Sequence, residues 1–380
     1  MTHLEQARPE QLQALAAFAG RAFRTRQGPE DFAALLPKLY APGAGSAPMH
    51  TVLYRDGNAV GLYCLQVQEF HAAGLPLRVG CVGTVCVDSG SRGNGYLALL
   101  MQDAASRMEA AGCALGMLGG QRQRYERFGY ASSGSQWVFT LSPRNVRGLP
   151  AGGVTLAPLL QKAVWLPQAN ALYRRQPVLC DRGPDRRFYA VLQSWRSRPL
   201  AVLHRGRFAG YCTLAPGKPP CLLELVLPDP ALLPGFAAAL IQMAGGTVKL
   251  QLYPWQQAEL TCFAALAEQS ICVPNHSYRV LDWLAAARAG LALRGGRAVP
   301  RLAKPFVLQV EGAARLCFAQ TGQGLEVRAA AGQEVPDLTL PPLDAARLLF
   351  GPDSMLVPGA EAVPAGLLPL PLAFPWADGI

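Results

Sequence analysis

The sequence predicts a mixed α/β (α+β) layer fold divided into two or three domains. Three observations lead there. Helical periodicity over residues 10–40 gives way to hairpin-forming strands from residue 51. A strand runs directly into a glycine-rich loop and then a helix over residues 82–101. The order of elements recurs loosely over residues 154–275, and the composition shifts again near 276. A length of 380 residues suits that division, at roughly 100–200 residues per domain.

Taken in order, Leu12, Leu15, Phe18 and Phe23 share one helical face, and Phe32, Leu35, Leu36 and Leu39 another. Gln27-Gly28-Pro29 breaks the two. Strands at 51–55 and 59–70 flank Asp56-Gly57-Asn58, a hairpin signal. A further strand at 77–87 follows Gly74-Leu75-Pro76. A helix over 93–111 turns Leu97, Leu100, Met101 and Met108 inward. Then come a strand at 113–118, a short helix at 121–128 and a strand at 136–141. Helices, antiparallel hairpins and one strand–loop–helix unit together make an α/β layer domain.

Residues 145–153 read as a linker. Beyond it lie a helical segment around 157–175 and strands at 201–204, 210–213 and 222–226. A helix at 232–244, a strand at 247–252 and a helix at 256–268 follow. The third segment holds helices at 281–288 and 343–350 and strands at 306–311, 315–319 and 325–329. The expected domains are therefore 1–146, 147–275 and 276–380.

Composition excludes several classes. Half the residues are apolar and 16% are charged, which is too apolar for a disordered chain. No apolar run approaches the roughly 18 residues of a membrane span. The start carries acids and no apolar core, so it reads as no signal peptide. Ten cysteines scattered singly read as reduced, buried hydrophobes, so a cytoplasmic location is expected. Five histidines without ligand spacing lead us to expect no metal. The net charge of +10 comes from dispersed arginines rather than a basic stripe. Neither a nucleic-acid nor a membrane partner is expected, although an anionic cofactor would benefit.

The chemistry concentrates in two stretches. In the first, Val82 to Met101, a strand opens through Ser91-Arg92-Gly93-Asn94-Gly95 into a helix. Gly93 and Gly95 let the backbone approach a ligand, the helix start offers free N–H groups, and Arg92 adds a full charge. Together these would cradle a pyrophosphate, and a tight turn that merely uses glycines is the alternative. Neither a dinucleotide fingerprint nor a Walker loop is present. The second stretch is Gly119-Gly120, followed by Tyr125-Glu126-Arg127-Phe128-Gly129-Tyr130. The pair resembles the GNAT acetyltransferase superfamily. A second domain of similar element order without a phosphate loop, and a third that looks sterol-carrier-like, narrow the resemblance to the enhanced-intracellular-survival (Eis) family.

That resemblance implies two tandem GNAT-like domains followed by a sterol-carrier-protein-like domain. It implies acetyl transfer from acetyl-CoA to a primary amine, of an aminoglycoside, another small molecule, or a lysine or peptide. Val85, Cys86 and Val87 would face the pantetheine arm. Arg92, Gly93, Asn94, Gly95, Tyr96 and Gly120 would surround the phosphates and thioester. Tyr125 would serve the departing thiolate, and the carboxylate of Ile380 would help take the amine's proton. A homo-oligomer, a hexamer, is implied as well. Two positions depart from the family: Gly90 stands where Gln or Arg is usual, and Ile380 where an aromatic is.

Taken alone Tyr125 reads as a half-buried helix aromatic, and its spacing before Phe128-Gly129-Tyr130, beyond a cofactor loop, shifts the reading to catalysis. Arg122, Arg124 and Arg127 read by default as a solvated face and could alternatively lower its pKa. The tail, with Leu367-Leu368-Pro369-Leu370-Pro371-Leu372, is too apolar to hang free and is expected to dock. The alternative is a last strand with its carboxylate in solvent. Glu30, Asp31 and Asp378 are the local acids expected near an acceptor pocket. A non-catalytic acetyl-CoA sensor or lipid carrier is the runner-up function.

Overall fold

Strand pairing starts at β1 (Thr2–Gln6), which lies antiparallel to β2 (His50–Arg55), followed by β3 (Asn58–Ala72) and β4 (Leu75–Val87). The computed structural model describes residues 1–26, 28–150, 152–295 and 300–380. Gln27 of the expected break and Ala151 of the expected linker lie outside the described residues. The turns β2–β3 and β3–β4 are Asp56-Gly57 and Ala73-Gly74, and all four residues have positive φ. Their twist matches that of the flanking strands. The second turn lets β3 and β4 run longer than the expected 59–70 and 77–87. β1 has no apolar alternation to betray it.

Helices α1 (Leu12–Ala22), α2 (Phe32–Leu35) and α3 (Pro37–Tyr40) fill the connection from β1 to β2. After β4, helix α4 (Tyr96–Ala110) crosses back so that β5 (Leu115–Leu118) lies parallel to β4. Helix α5 (Arg122–Tyr125) and β6 (Ala131–Leu141) follow.

The next run holds β7 (Val154–Pro158), α6 (Trp165–Tyr173), β8 (Val178–Cys180) and α7 (Asp185–Leu192). It continues through β9 (Arg198–His204), β10 (Arg207–Ala215), β11 (Cys221–Val226) and α8 (Leu233–Ala244). It closes with β12 (Val248–Leu252), α9 (Gln257–Leu266) and β13 (Gln269–Val280). The helical segment expected around 157–175 is present but shorter, as α6, and is preceded by strand β7, which ends at Pro158.

The boundary expected at 275/276 falls inside β13, which inserts between β5 and β6, while β6 pairs on its other side with β12. Both runs therefore share one 13-stranded sheet, ordered β1-β2-β3-β4-β5-β13-β6-β12-β11-β10-β9-β7, with β8 beside β3. The polar residues Asn275, His276 and Ser277, where the composition shifts, are buried rather than at a domain edge.

The remaining chain forms α10 (Trp283–Ala292), β14 (Phe306–Val310), β15 (Ala314–Thr321), β16 (Gly324–Ala329), β17 (Leu338–Leu340) and α11 (Pro342–Phe350). Its sheet runs β16-β15-β14-β17, with β17 parallel to β14. After Gly351 the described chain contains no strand. Leu367, Leu370, Leu372 and Phe374 are fully buried in the same core as Phe70 and Leu115. Ile380 is only 9% exposed. The tail is docked, and a last strand ending in solvent is excluded. Among the described residues no helix is long and apolar enough to cross a membrane. Among them, too, no cluster of His, Cys, Asp or Glu could hold a metal.

Candidate active site

Strands β4 and β5 begin as a parallel pair and then part. Their pairing runs from Val79 opposite Leu115 to Val82 opposite Leu118 and stops. At that point β4 carries one extra residue relative to β3, since Leu62 pairs Cys86 while Cys64 pairs Gly83. Thr84 sits in the bulge with φ of 50°. A bulge bends its strand and re-aims the residues beyond it. Thr84 is pinned there by the Tyr40 hydroxyl at 2.9 Å, and Tyr40 in turn meets His50 Nε2 at 2.9 Å. Nothing in the sequence marks Thr84, because a β-branched residue at positive φ contradicts local preference.

Beyond the bulge, backbone groups alternate sides. Asp88 N donates to Val60 O at 2.9 Å, and the Cys86 carbonyl lies beside Gly61, so Cys86 faces β3. The N–H and C=O groups of Val85 and Val87 face the gap that β5 has vacated. At the far end of the gap Gly93 and Gly95 adopt φ of 84° and 75°, and α4 begins at Tyr96. The Asn94 side chain folds back onto Ser91 O at 3.0 Å, and Asp88 accepts from Gly90 N at 3.0 Å. Among the described residues, no hydrogen bond takes up the N–H of Gly93, Asn94, Gly95 or Tyr96. Arg92 is exposed beside them, whereas Tyr96 is buried with its hydroxyl taking a bond from Arg55 at 3.2 Å.

The tail ends at the mouth of the gap. The Ile380 main-chain carboxylate lies against Gly83, in the space a side chain there would need. Each of the last residues is held by side chains from elsewhere. Lys38 Nζ donates to Ala377 O at 2.5 Å and Gly379 O at 2.6 Å. Trp376 is tied through its N–H to the Tyr253 hydroxyl at 2.9 Å, through its carbonyl to Trp195 Nε1 at 2.8 Å, and through its indole to Gln136 at 2.9 Å. Asp378 is locked by Arg182, at 2.7 and 3.0 Å, while the same guanidinium forks onto Glu224 at 2.8 and 2.7 Å. Arg182 also stacks 3.7 Å from the Tyr173 ring centroid, and the Tyr211 hydroxyl donates to Glu224 at 2.7 Å. Burial lowers the Lys38 ammonium to about 8, against the raising pull of Asp378. Isolated lysines and arginines in the sequence give no hint of these roles, because their partners in the tail lie more than a hundred positions away.

A cavity of about 520 Å³ lies between these parts. Val85, Gly120, Tyr125 and Ile380 line it, together with the aromatic walls Trp195 and Trp376. Two candidates far apart in sequence, Tyr125 and Ile380, thus share one space. Burial raises the Tyr125 phenol above its ordinary value, with Arg124 opposing. The other two arginines are engaged elsewhere: Arg122 with Glu126 at 2.6 Å, and Arg127 over the Phe128 ring at 4.8 Å. Of the two readings of these arginines, a net lowering of the Tyr125 pKa does not occur, because burial outweighs Arg124.

The three expected acids are also engaged. Glu30 lines the cavity but pairs with Arg196, Asp31 caps α2 through Ala34 N at 3.1 Å, and Asp378 belongs to Arg182. Phe23, read on one helical face with Leu12 and Leu15, is half exposed at the cavity wall, while those two are buried.

His276 lies under the tail. Its ring packs 4.6 Å from that of Trp376, Nδ1 meets Asn275 Oδ1 at 2.8 Å, and buried Nε2 has no partner among the described residues. Burial, helped by the charge of Lys38, lowers its pKa from 6.5 to about 3. Between those values the unfolded chain binds a proton that the folded chain refuses, so stability falls as pH drops through the window. The limiting slope is about 1.4 kcal/mol per pH unit. Replacing His276→Gln should flatten the acid limb of stability, measured by urea unfolding across that range. A parental slope would mean that another group sets it.

Residues 3–132 match the family model of an acetyltransferase (GNAT) domain. Several solved structures share the fold over nearly the whole chain. One is a GCN5-related N-acetyltransferase from Kribbella flavida, 17% identical, with 97% of this chain and 94% of that chain covered and a TM-score of 0.66. Another is Eis1 from Mycobacterium abscessus, 16% identical, covered over 100% of both chains, at 0.66. A third is a GCN5-related N-acetyltransferase from Anabaena variabilis, 16% identical, 95% and 93% covered, at 0.67. The comparison with curated proteins gives no match. The parted strands, the glycine loop and Tyr125 therefore all lie within the residues that match the GNAT acetyltransferase domain model.

Proposed function

We propose that the chain transfers an acetyl group from acetyl-CoA to a primary amine in the cavity between β4 and β5. The observation that carries this reading is the parted strand pair. It exposes the backbone of Val85 and Val87 along one wall, ends in the free N–H groups of the glycine loop, and opens into the space shared by Tyr125 and Ile380. An extended pantetheine arm would add to β4 as a strand does, with Arg92 and the loop N–H groups on the pyrophosphate.

In the reaction the amine nitrogen attacks the thioester carbon, the C–S bond breaks, and the sulfur leaves as a thiolate. The amine must first lose a proton. The Ile380 carboxylate, with an ordinary pKa near 3.5, is a weak base for an ammonium, so its part is to attract and orient the cation and relay its proton through water. The raised phenol of Tyr125 acts as a hydrogen-bond donor to the sulfur, since full proton transfer to a thiolate would be uphill by more than the ordinary ~2 kcal/mol. The remainder of the chain is read as a degenerate GNAT-like unit and a sterol-carrier-like unit that hold the tail in place.

The second unit has its own parallel pair, β11 and β12, which parts after Leu222 opposite Leu250. Its gap is filled. Gln256 Nε2 donates to Leu225 O at 3.2 Å, and Tyr253 receives the tail at Trp376. The turn into α8, Leu227-Pro228-Asp229-Pro230, has prolines without N–H groups and an aspartate at the helix start, which repels phosphate. We therefore expect one acetyl-CoA per chain in calorimetry. Exchanging Gly93→Val and Gly95→Val forces β-branched residues to positive φ and should weaken binding by at least tenfold. Two sites per chain, or parental affinity in the folded variant, would contradict the assignment.

A further inference from the structure

Resting on the transferase reading, we infer that the acceptor is a monoamine on an apolar, ring-sized body rather than a polycation. The cavity is small, since about 520 Å³ must take both the thioester end and the acceptor. Its acceptor side is apolar and aromatic, with Phe32, Leu36, Trp195 and Trp376 in the wall and Phe23 at its edge. A cation binds well against such rings when only one charge must be desolvated.

The charge inventory points the same way. A polycation needs several free carboxylates, because each buried ammonium without a partner is costly. Here Glu30, which lines the cavity, is neutralised by Arg196. Asp378 is buried with Arg182, and Asp31 is spent on a helix cap. Arg124 adds a positive charge to the wall. Among the described residues no base pairs with the Ile380 carboxylate, so one negative charge faces the acceptor. One carboxylate beside aromatic walls recognises one ammonium on a hydrophobic body.

The test compares kcat/KM, as CoA release, for phenethylamine, tyramine and hexylamine against spermidine and kanamycin. The monoamines should exceed the polycations by at least 100-fold. A polycation turned over as well as the monoamines would overturn the inference and leave the transferase reading standing. No release with any amine, although acetyl-CoA binds, would remove the inference and that reading together. A second arm uses Arg196→Asn, which tolerates the positive φ of that position and frees Glu30. It should shift the ratio toward spermidine by about tenfold, and an unchanged ratio would overturn the charge argument.

Discussion

Replacing Arg182→Met should cost about 3–5 kcal/mol of stability, more than any other single exchange proposed for this chain. The guanidinium is buried and is the shared partner of two buried carboxylates, Glu224 and Asp378. Removing it leaves both acids facing each other without compensation. Asp378→Asn should be milder, because Arg182 keeps its forked contact with Glu224. A double replacement, Arg182→Met with Asp378→Asn, should recover part of the loss, the signature of a coupled pair. Urea unfolding monitored by tryptophan fluorescence measures all three. A cost under about 1 kcal/mol for Arg182→Met would show that solvent reaches the site, as at a surface pair.

Tyr125→Phe should lower kcat by about 10²–10⁴-fold with little change in acetyl-CoA affinity, since only the hydroxyl is lost. Disturbing the terminal carboxylate should do the same. A deletion beginning at Asp378 would also break the contact with Arg182 and confuse chemistry with folding. The cleaner variants delete only Gly379 and Ile380, append one glycine after Ile380, or replace Gly83→Ala. The last inserts a methyl group where the carboxylate lies. Each should fold, bind acetyl-CoA normally and turn over amines slowly. Parental turnover in all of them would make the tail mere packing.

How much of the fold and site was legible in the sequence depended on the range of the interactions. The glycine loop stands out as a candidate because its strand, glycines and helix are adjacent, and Tyr125 because its short spacing before Phe128-Gly129-Tyr130 resembles the family's. The tail's docking followed from its apolar composition alone. The features that stayed hidden are built from distant partners. Lys38 reaches residues 377 and 379, and Arg182 joins residues 224 and 378. The bulge at Thr84 opposes local preference, as strained positions near sites often do. The shared sheet was missed because β13 was not read as a strand: Pro274, Asn275 and His276 interrupt its apolar run, and local periodicity does not say which strands of neighbouring units pair.

The central claim is that an amine reacts with acetyl-CoA in the space between the parted strands. The direct measurement is CoA release at saturating acetyl-CoA, with and without a primary amine, followed by mass spectrometry of the amine. The account predicts release that depends on the amine, one acetyl group gained by the amine per CoA released, and a fall of both rates by about 10²–10⁴-fold in Tyr125→Phe. Binding of acetyl-CoA without amine-dependent release, across monoamines and polyamines alike, would contradict it.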